Sequence, residues 1–228
     1  MSAKTVSCVI CAYNEAPRIG SVLAVVAGHP ALSEVVVVDD GSSDGTQEVV
    51  RSFPGVKLIV NDRNVGKSKT LVNGARHTTG DLILCLDADL KNLTAADVSA
   101  LIDPIQSGAA DVSLSIRKNS LGIYRAIGLD FVSGERVMPR SLIIDHATDI
   151  EALSRFGVES FLNARIIDRK LRIKIVPLSI ENTRKSEKEG WWQGTKSEWK
   201  MVFDILHTLT PAEVIRQNYR MLGLARRD

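Results

Sequence analysis

The sequence predicts an α/β protein built on a mostly parallel, doubly wound sheet flanked by helices, with a helical C-terminus. Three observations predict it. Across residues 1–110, short apolar runs alternate with stretches of helical spacing, the βαβ pattern. The joints between them are rich in Gly, Asn, Asp and Ser. Two of the apolar runs stop abruptly in acids, Asp39-Asp40 and Asp87-Ala88-Asp89.

The elements follow in order. Thr5 to Ala12 reads as the first strand, followed by a helix with Asn14 as its cap and Ile19, Val22, Leu23 and Val26 at helical spacing. Glu34 to Val38, β-branched after the Glu, is the second strand; the loop from Asp39 to Thr46 leads into a helix to Phe53. Val56 to Val60 is the third strand, and a helix through Leu71, Ala75 and Arg76 precedes the fourth, Leu82 to Leu86. Thr94-Ala95-Ala96-Asp97 reads as an acidic capping box opening a helix to Ile105. Asp111 to Ile116 is a further strand; Arg117 to Glu135 carries a mixed signal, and Ser141 to Leu153 no clear one. Gly157-Val158-Glu159 opens an amphipathic helix, and Leu171 to Leu178 reads as an edge or antiparallel strand ended by Pro177. Glu181 to Glu189 is polar and loop-like. Two helical signals close the chain, Trp191 to Leu209 and a helix with Thr210 as cap and Pro211 first.

The 228 residues suit one domain, or one domain with an appended subdomain, and 44% hydrophobic content supplies a sizeable core. With 29 basic against 27 acidic residues, no nucleic-acid surface is expected. Cys8, Cys11 and Cys85 lie in strand-like runs and read as buried thiols of a reducing compartment. Neither a signal peptide nor a bilayer-length apolar run is evident, so the expected location is cytoplasmic, with room for peripheral contact at the inner membrane face.

Open parallel sheets bind ligands beyond the carboxyl ends of their strands. Asp87 and Asp89 fall at such an end. Two close carboxylates call for a cation or a hydrogen-bond network, and a hard divalent metal bridging phosphates is one solution. The other reading is a strand-to-helix turn whose acids cap the next helix. After the first strand, Ala12-Tyr13-Asn14-Glu15 replaces the glycine fingerprint of a dinucleotide site, and Gly66-Lys67-Ser68 lacks the glycines of a phosphate loop.

Taken together, Ala12-Tyr13-Asn14-Glu15, Asp39 to Thr46, Asn64-Val65-Gly66-Lys67, Gly74-Ala75, Gly80-Asp81 and Asp87-Ala88-Asp89 resemble, in order and spacing, the family 2 glycosyltransferases of GT-A fold. The resemblance is nearest to the polyprenyl- and dolichyl-phosphate sugar transferases. It continues more loosely through Phe131 to Arg136, Gly157-Val158-Glu159 and Leu171 to Leu178.

The resemblance implies an inverting, metal-dependent transfer of a hexosyl unit from a UDP- or GDP-sugar to a polyprenyl phosphate, a glycan or a small molecule. It implies one catalytic domain over residues 1–180. Residues 1–110 would take the nucleotide sugar and 111–180 the acceptor, with 181–228 packed on them. Ala12, Tyr13, Glu15, Asp39, Asp40, Lys67, Asp87 and Ala88 would form the donor pocket. Asp40 would meet the base edge, and Asp89 with Asp87 would hold Mg²⁺ or Mn²⁺. Glu159 would be the general base for a hydroxyl acceptor, or else a helix N-terminal carboxylate favoured by the dipole. Arg117 and Arg136 would suit an acceptor phosphate.

Lys91 stands where that branch carries a metal-holding glutamine. Trp191 and Trp192 are adjacent and cannot both face one core; an acceptor, lipid headgroups or a homodimer contact would occupy one of them. The competing functions are a nucleotidyltransferase and a non-catalytic nucleotide- or carbohydrate-binding descendant of the fold.

Overall fold

The computed structural model describes residues 4–120, 124–125, 128–153, 157–182 and 211–225. Its centre is a seven-stranded sheet in the order β3-β2-β1-β4-β7-β6-β8. The strands are β1 (Val6–Ala12), β2 (Glu34–Asp39), β3 (Val56–Val60), β4 (Leu82–Asp87), β6 (Val112–Arg117), β7 (Arg136–Pro139) and β8 (Ile173–Leu178). Two short strands, β5 (Leu90–Lys91) and β9 (Glu181–Asn182), pair antiparallel as a separate ribbon.

Strands β3, β2, β1 and β4 are mutually parallel, as the alternating pattern predicts. Beyond β4 the sheet reverses once, because β7 runs antiparallel to both β4 and β6. β8 is indeed the edge strand, and it lies parallel to β6.

Helices cover both faces. On one, Cys8 and Ile10 of β1 and Leu82, Leu84 and Leu86 of β4 pack with α1 (Ala16–Val26), α2 (Thr46–Arg51) and α4 (Ala95–Gln106). On the other, Val9, Ile83 and Cys85 meet α3 (Lys67–Arg76), and the apolar cluster extends to α7 (Val158–Asp168) and α8 (Pro211–Ala225). Side chains alternate along each central strand, so both faces of β1 and β4 are buried. Cys8 and Cys85 are buried free thiols; Cys11 is half-buried and also free. Burial pushes the Cys85 thiol up to about 12.

Two local expectations are corrected. Asn14 does not cap α1. It takes a left-handed φ of 54° and leaves the N-cap position to Glu15, while Asp44 accepts from the Ala16 N–H. Glu181 and Asn182 are not loop but strand, because the backbone next to Asp89 offers them a partner. The stretch Ser141 to Leu153 contains two short helices, α5 (Ser141–Ile144) and α6 (Ala147–Glu151). The capping box forms as read: Thr94 Oγ1 accepts from Asp97 N, and the Asp97 carboxylate accepts from Thr94 N. The helix at Pro211 is present, whereas its Thr210 cap and the helix expected over Trp191 to Leu209 lie outside the described residues. Among the described residues no helix is long and apolar enough to cross a membrane.

Candidate active site

Chain order runs outward from β1 through β2 to β3, then crosses back to β4 on the other flank of β1. The carboxyl ends of β1 and β4 therefore bound the switch-point crevice of an open α/β sheet. Ala12 ends β1, Asp39 ends β2 and Asp87 ends β4.

The loop after β2 is held by its own acids. Asp40, 4% exposed, accepts from Asn61 Nδ2 (2.9 Å) and Val65 N (2.9 Å) on Oδ1 and from Gly66 N (2.9 Å) on Oδ2. It thereby fastens the 61–66 segment ahead of α3. An ionised carboxylate offers about four lone-pair sites, so Oδ2 keeps one acceptor position. Asp39 is fully buried; its Oδ2 accepts from Ser42 N and Gln47 Nε2, while Oδ1 is buried with no hydrogen-bond partner. Gly41, at φ 76°, touches the backbone of Arg63, where a Cβ would come within 2.9 Å. Asn14 bonds this loop through Ser42 and Ser43, and Glu15 N donates to Thr46 Oγ1. Tyr13 is left 47% exposed at the rim. Glu15 pairs with Arg18.

A charge network occupies the β4 end. Lys67, the first residue of α3, places Nζ 2.9 Å from Asp87 Oδ1 and 2.9 Å from Glu159 Oε1, in the first turn of α7. Arg117, the last residue of β6, stands 3.8 Å from Asp87 Oδ2, 3.5 Å from Asp130 and 3.3 Å from Glu135. Asn182 Nδ2 donates to Asp87 Oδ2 at 3.1 Å. Burial alone would raise the Asp87 carboxyl, but Lys67 and Arg117 outweigh it and hold the group far below the usual carboxylate range. Burial would lower the Lys67 ammonium; Asp87 and Glu159 instead raise it well above its ordinary value.

Glu135 is fully buried. It accepts from Ser115 Oγ (2.8 Å) and Ser133 Oγ (2.9 Å), and burial raises its carboxyl despite Arg117. Gly134 makes room for Asp87: a Cβ there would sit 2.7 Å from Oδ1 and 2.9 Å from Oδ2. Ala88 and Asp89 are buried beside it, at 4% and 9% exposure.

The donor set suits a divalent cation shared with a diphosphate. Among the described residues, the ion pairs of Asp87, Asp130, Glu135 and Glu159 in this cluster are with Lys67 and Arg117, a surplus of two negative charges when all are ionised. Among the described residues, no three His, Cys, Asp or Glu side chains gather as a self-contained metal cage. A metal that arrives on phosphate oxygens needs only a few protein oxygens.

The structure thus brings together Ala12, Asp39, Asp40, Lys67, Asp87, Ala88, Asp89, Arg117 and Glu159 on the carboxyl side of the sheet, with Tyr13 and Glu15 on the adjoining loop. Arg136 must be corrected. It is 1% exposed, with its donors spent on Ser133 O and on Asn163 Oδ1 (3.1 Å), so it braces the core and does not meet an acceptor. Lys91 is exposed, in register with Glu181. Trp191 and Trp192 lie outside the described residues. Glu135 and Asn182 were missed as candidates. The Ser133-Gly134-Glu135 stretch was a signal for the first; Asn182 had none.

A profile described as "Glycosyl transferase family 2" matches residues 7–169. The undecaprenyl-phosphate 4-deoxy-4-formamido-L-arabinose transferase of Aeromonas hydrophila is 36% identical over 125 residues, covering 51% of this chain and 38% of that protein. The same-named protein of Klebsiella pneumoniae is 30% identical over 173 residues, covering 70% and 52%. A dolichyl-phosphate beta-glucosyltransferase of Trichomonas vaginalis is 35% identical over 150 residues, covering 54% and 44%. The chain therefore spans about half, or less, of the length of these relatives. Among solved structures, glucosyl-3-phosphoglycerate synthase of Mycobacterium tuberculosis, in complex with Mn²⁺, UDP and glucosyl-3-phosphoglycerate, superposes with a TM-score of 0.69 at 22% identity. That match covers 90% of this chain and 80% of the other. At this identity the likeness establishes the fold.

Proposed function

We propose, on the premise that this chain belongs to glycosyl transferase family 2 and has the GT-A fold, that it transfers a hexosyl unit with inversion from a nucleotide-diphosphate sugar. The observation that carries this reading is that Asp87-Ala88-Asp89 and the Asp39-Asp40 loop lie at the carboxyl ends of β4 and β2, on either side of β1 at the switch point. The base and ribose would lie along Tyr13, Glu15 and Asp40, whose remaining Oδ2 acceptor suits a base N–H. Relatives of this fold are seen with Mn²⁺ and UDP, which supports a divalent metal here. Asp89 would be its principal ligand. Asp87, already paired with Lys67 and Asn182, would orient the diphosphate side and share the cation.

When bound, Mg²⁺ or Mn²⁺ neutralises charge on the leaving nucleoside diphosphate. The chain's own residues do the rest. Lys67 offers a cation beside the leaving group. Glu159 accepts the proton of an acceptor hydroxyl as its oxygen bonds the anomeric carbon and the bond to the diphosphate oxygen breaks. A hydroxyl acceptor is favoured over a bare phosphate next to Asp87, because the Arg117 guanidinium is already matched by three carboxylates. A polyprenyl-phosphate acceptor, named for the relatives, would need no base and would have to draw Arg117 away from them.

The test is a titration of the full chain with UDP and GDP, with and without Mn²⁺. Metal-dependent binding that disappears in Asp89→Ala supports the reading; unchanged binding in that variant sinks the metal role. Slow hydrolysis of candidate donors then identifies the sugar without the acceptor.

A further inference from the structure

The Asp87-Ala88-Asp89 turn is flanked by a residue 95 positions away in sequence. In the β5–β9 ribbon, Asn182 is in register with Leu90, the residue directly after Asp89. Its backbone carbonyl accepts from Asn119 Nδ2 at 3.0 Å, which fixes the strand against the loop after β6. Its side-chain Nδ2 donates to Asp87 Oδ2 at 3.1 Å. That bond also settles the orientation of the amide, since the opposite rotamer would set oxygen against carboxylate oxygen. The other end, Oδ1, is buried and has no hydrogen-bond partner. Buried acceptors are ordinarily satisfied, so one left bare at an acidic turn points to a ligand.

We infer that Asn182 is a metal ligand: its amide oxygen joins Asp89 on the divalent cation that accompanies the donor diphosphate. The inference rests on the metal-dependent reading above and adds a ligand from the far end of the chain. Four considerations bear on it. Among the described residues no three acidic, His or Cys side chains gather as a cage, which leaves room in the metal shell for a protein oxygen of another type. Neutral amide carbonyls are ordinary hard ligands for Mg²⁺ and Mn²⁺. Lys91 is exposed and, as an ammonium, offers no lone pair. Finally, Lys67 already holds Asp87 Oδ1, so an added neutral oxygen completes the shell without another buried charge.

The experiment measures free Mn²⁺ by electron paramagnetic resonance while the full chain is titrated in the presence of UDP or GDP. Asn182→Ala is expected to weaken Mn²⁺ about tenfold or more. Asn182→Asp keeps a ligating oxygen but cannot donate to Asp87, so it should bind Mn²⁺ more tightly than Asn182→Ala. Wild-type affinity in Asn182→Ala, or an Asn182→Asp variant no better than Asn182→Ala, overturns the assignment; the second result would show that only the bond to Asp87 matters. Asp89→Ala separates the two levels. If it loses Mn²⁺ while Asn182→Ala does not, the Asn182 ligand alone is wrong. If Asp89→Ala keeps wild-type affinity, or the wild type takes up no Mn²⁺ with either nucleotide, the metal reading falls and this assignment falls with it.

Discussion

The Lys67 ammonium lies 2.9 Å from Asp87 Oδ1, and the same nitrogen lies 2.9 Å from Glu159. One cation from the start of α3 thus joins the end of β4 to the start of α7, the strand that carries the donor acids and the helix that carries the proposed base. Lys67 side-chain exposure of 38% tempers the energy of these contacts.

Replacing Lys67 by Met should leave Asp87 and Glu159 without their shared counter-ion. Losing one partner of a buried pair costs about 3–5 kcal/mol, and partial exposure reduces this to about 1–2 kcal/mol. Urea unfolding checks the loss. In the double variant with Glu159→Gln the loss should shrink, because one stranded charge is gone; a purely additive pair of effects would contradict the bridge.

Stability should also fall in acid on account of Asp87. Its folded-state carboxyl is depressed, since Lys67 and Arg117 outweigh the cost of burial. The stabilisation is therefore fully present above the unfolded value of about 3.9 and is lost as pH falls below it. Melting temperatures recorded from about pH 6 down to about pH 2 should decline less steeply in Asp87→Asn. An equally steep decline in that variant would assign the acid limb to other groups.

Gly134→Ala should strike the site and spare the scaffold. The added Cβ would meet both Asp87 oxygens at 2.7 and 2.9 Å, so the carboxylate must rotate off Lys67 and Asn182. Nucleotide binding in Mn²⁺ should weaken while the far-ultraviolet circular dichroism is retained. Unchanged binding would mean that the position of Asp87 is not critical.

Glu159→Gln should lower the rate of transfer to a hydroxyl acceptor by about 10²–10⁴ with donor affinity preserved. Single-turnover kinetics with saturating donor make the distinction. A variant at wild-type rate would favour a phosphate acceptor that needs no base.

Arg136→Met should behave as a core mutation. It bares Asn163 Oδ1 and Ser133 O, at about 1–3 kcal/mol for each unsatisfied buried acceptor. Loss of stability is expected without a selective rise in the acceptor KM. A selective rise at unchanged stability would restore the acceptor role.

Sequence legibility followed burial. Strands β1, β2 and β4 announce themselves because their runs are buried and almost wholly apolar or β-branched, β3 because only Lys57 interrupts its apolar run, and the loops after β2 and β4 carry the acids that mark the donor side. β7 was hidden, since Arg136 and Pro139 bracket a run only two residues long. The same Arg136 misled the acceptor reading. Arginine is rarely fully buried, and nothing local shows that Asn163, 27 positions on, receives it. Asn182 was silent for a related reason: its partners, Leu90 and Asp87, are brought to it only by the closed fold.

The reversal at β7 has a consequence for modular redesign. The ladder between β4 and β7 joins four residue pairs and that between β7 and β6 only two. Gly134 and Glu135 reach the site because their strand begins there, whereas the other strands arrive by ending there. The four-pair β4–β7 ladder is therefore the seam at which chimeras that exchange the proposed acceptor half, residues 111–180 with β6, β7 and β8, must be rejoined. A graft that keeps Arg136 and Val137 in register would carry a new acceptor surface to an unchanged donor pocket.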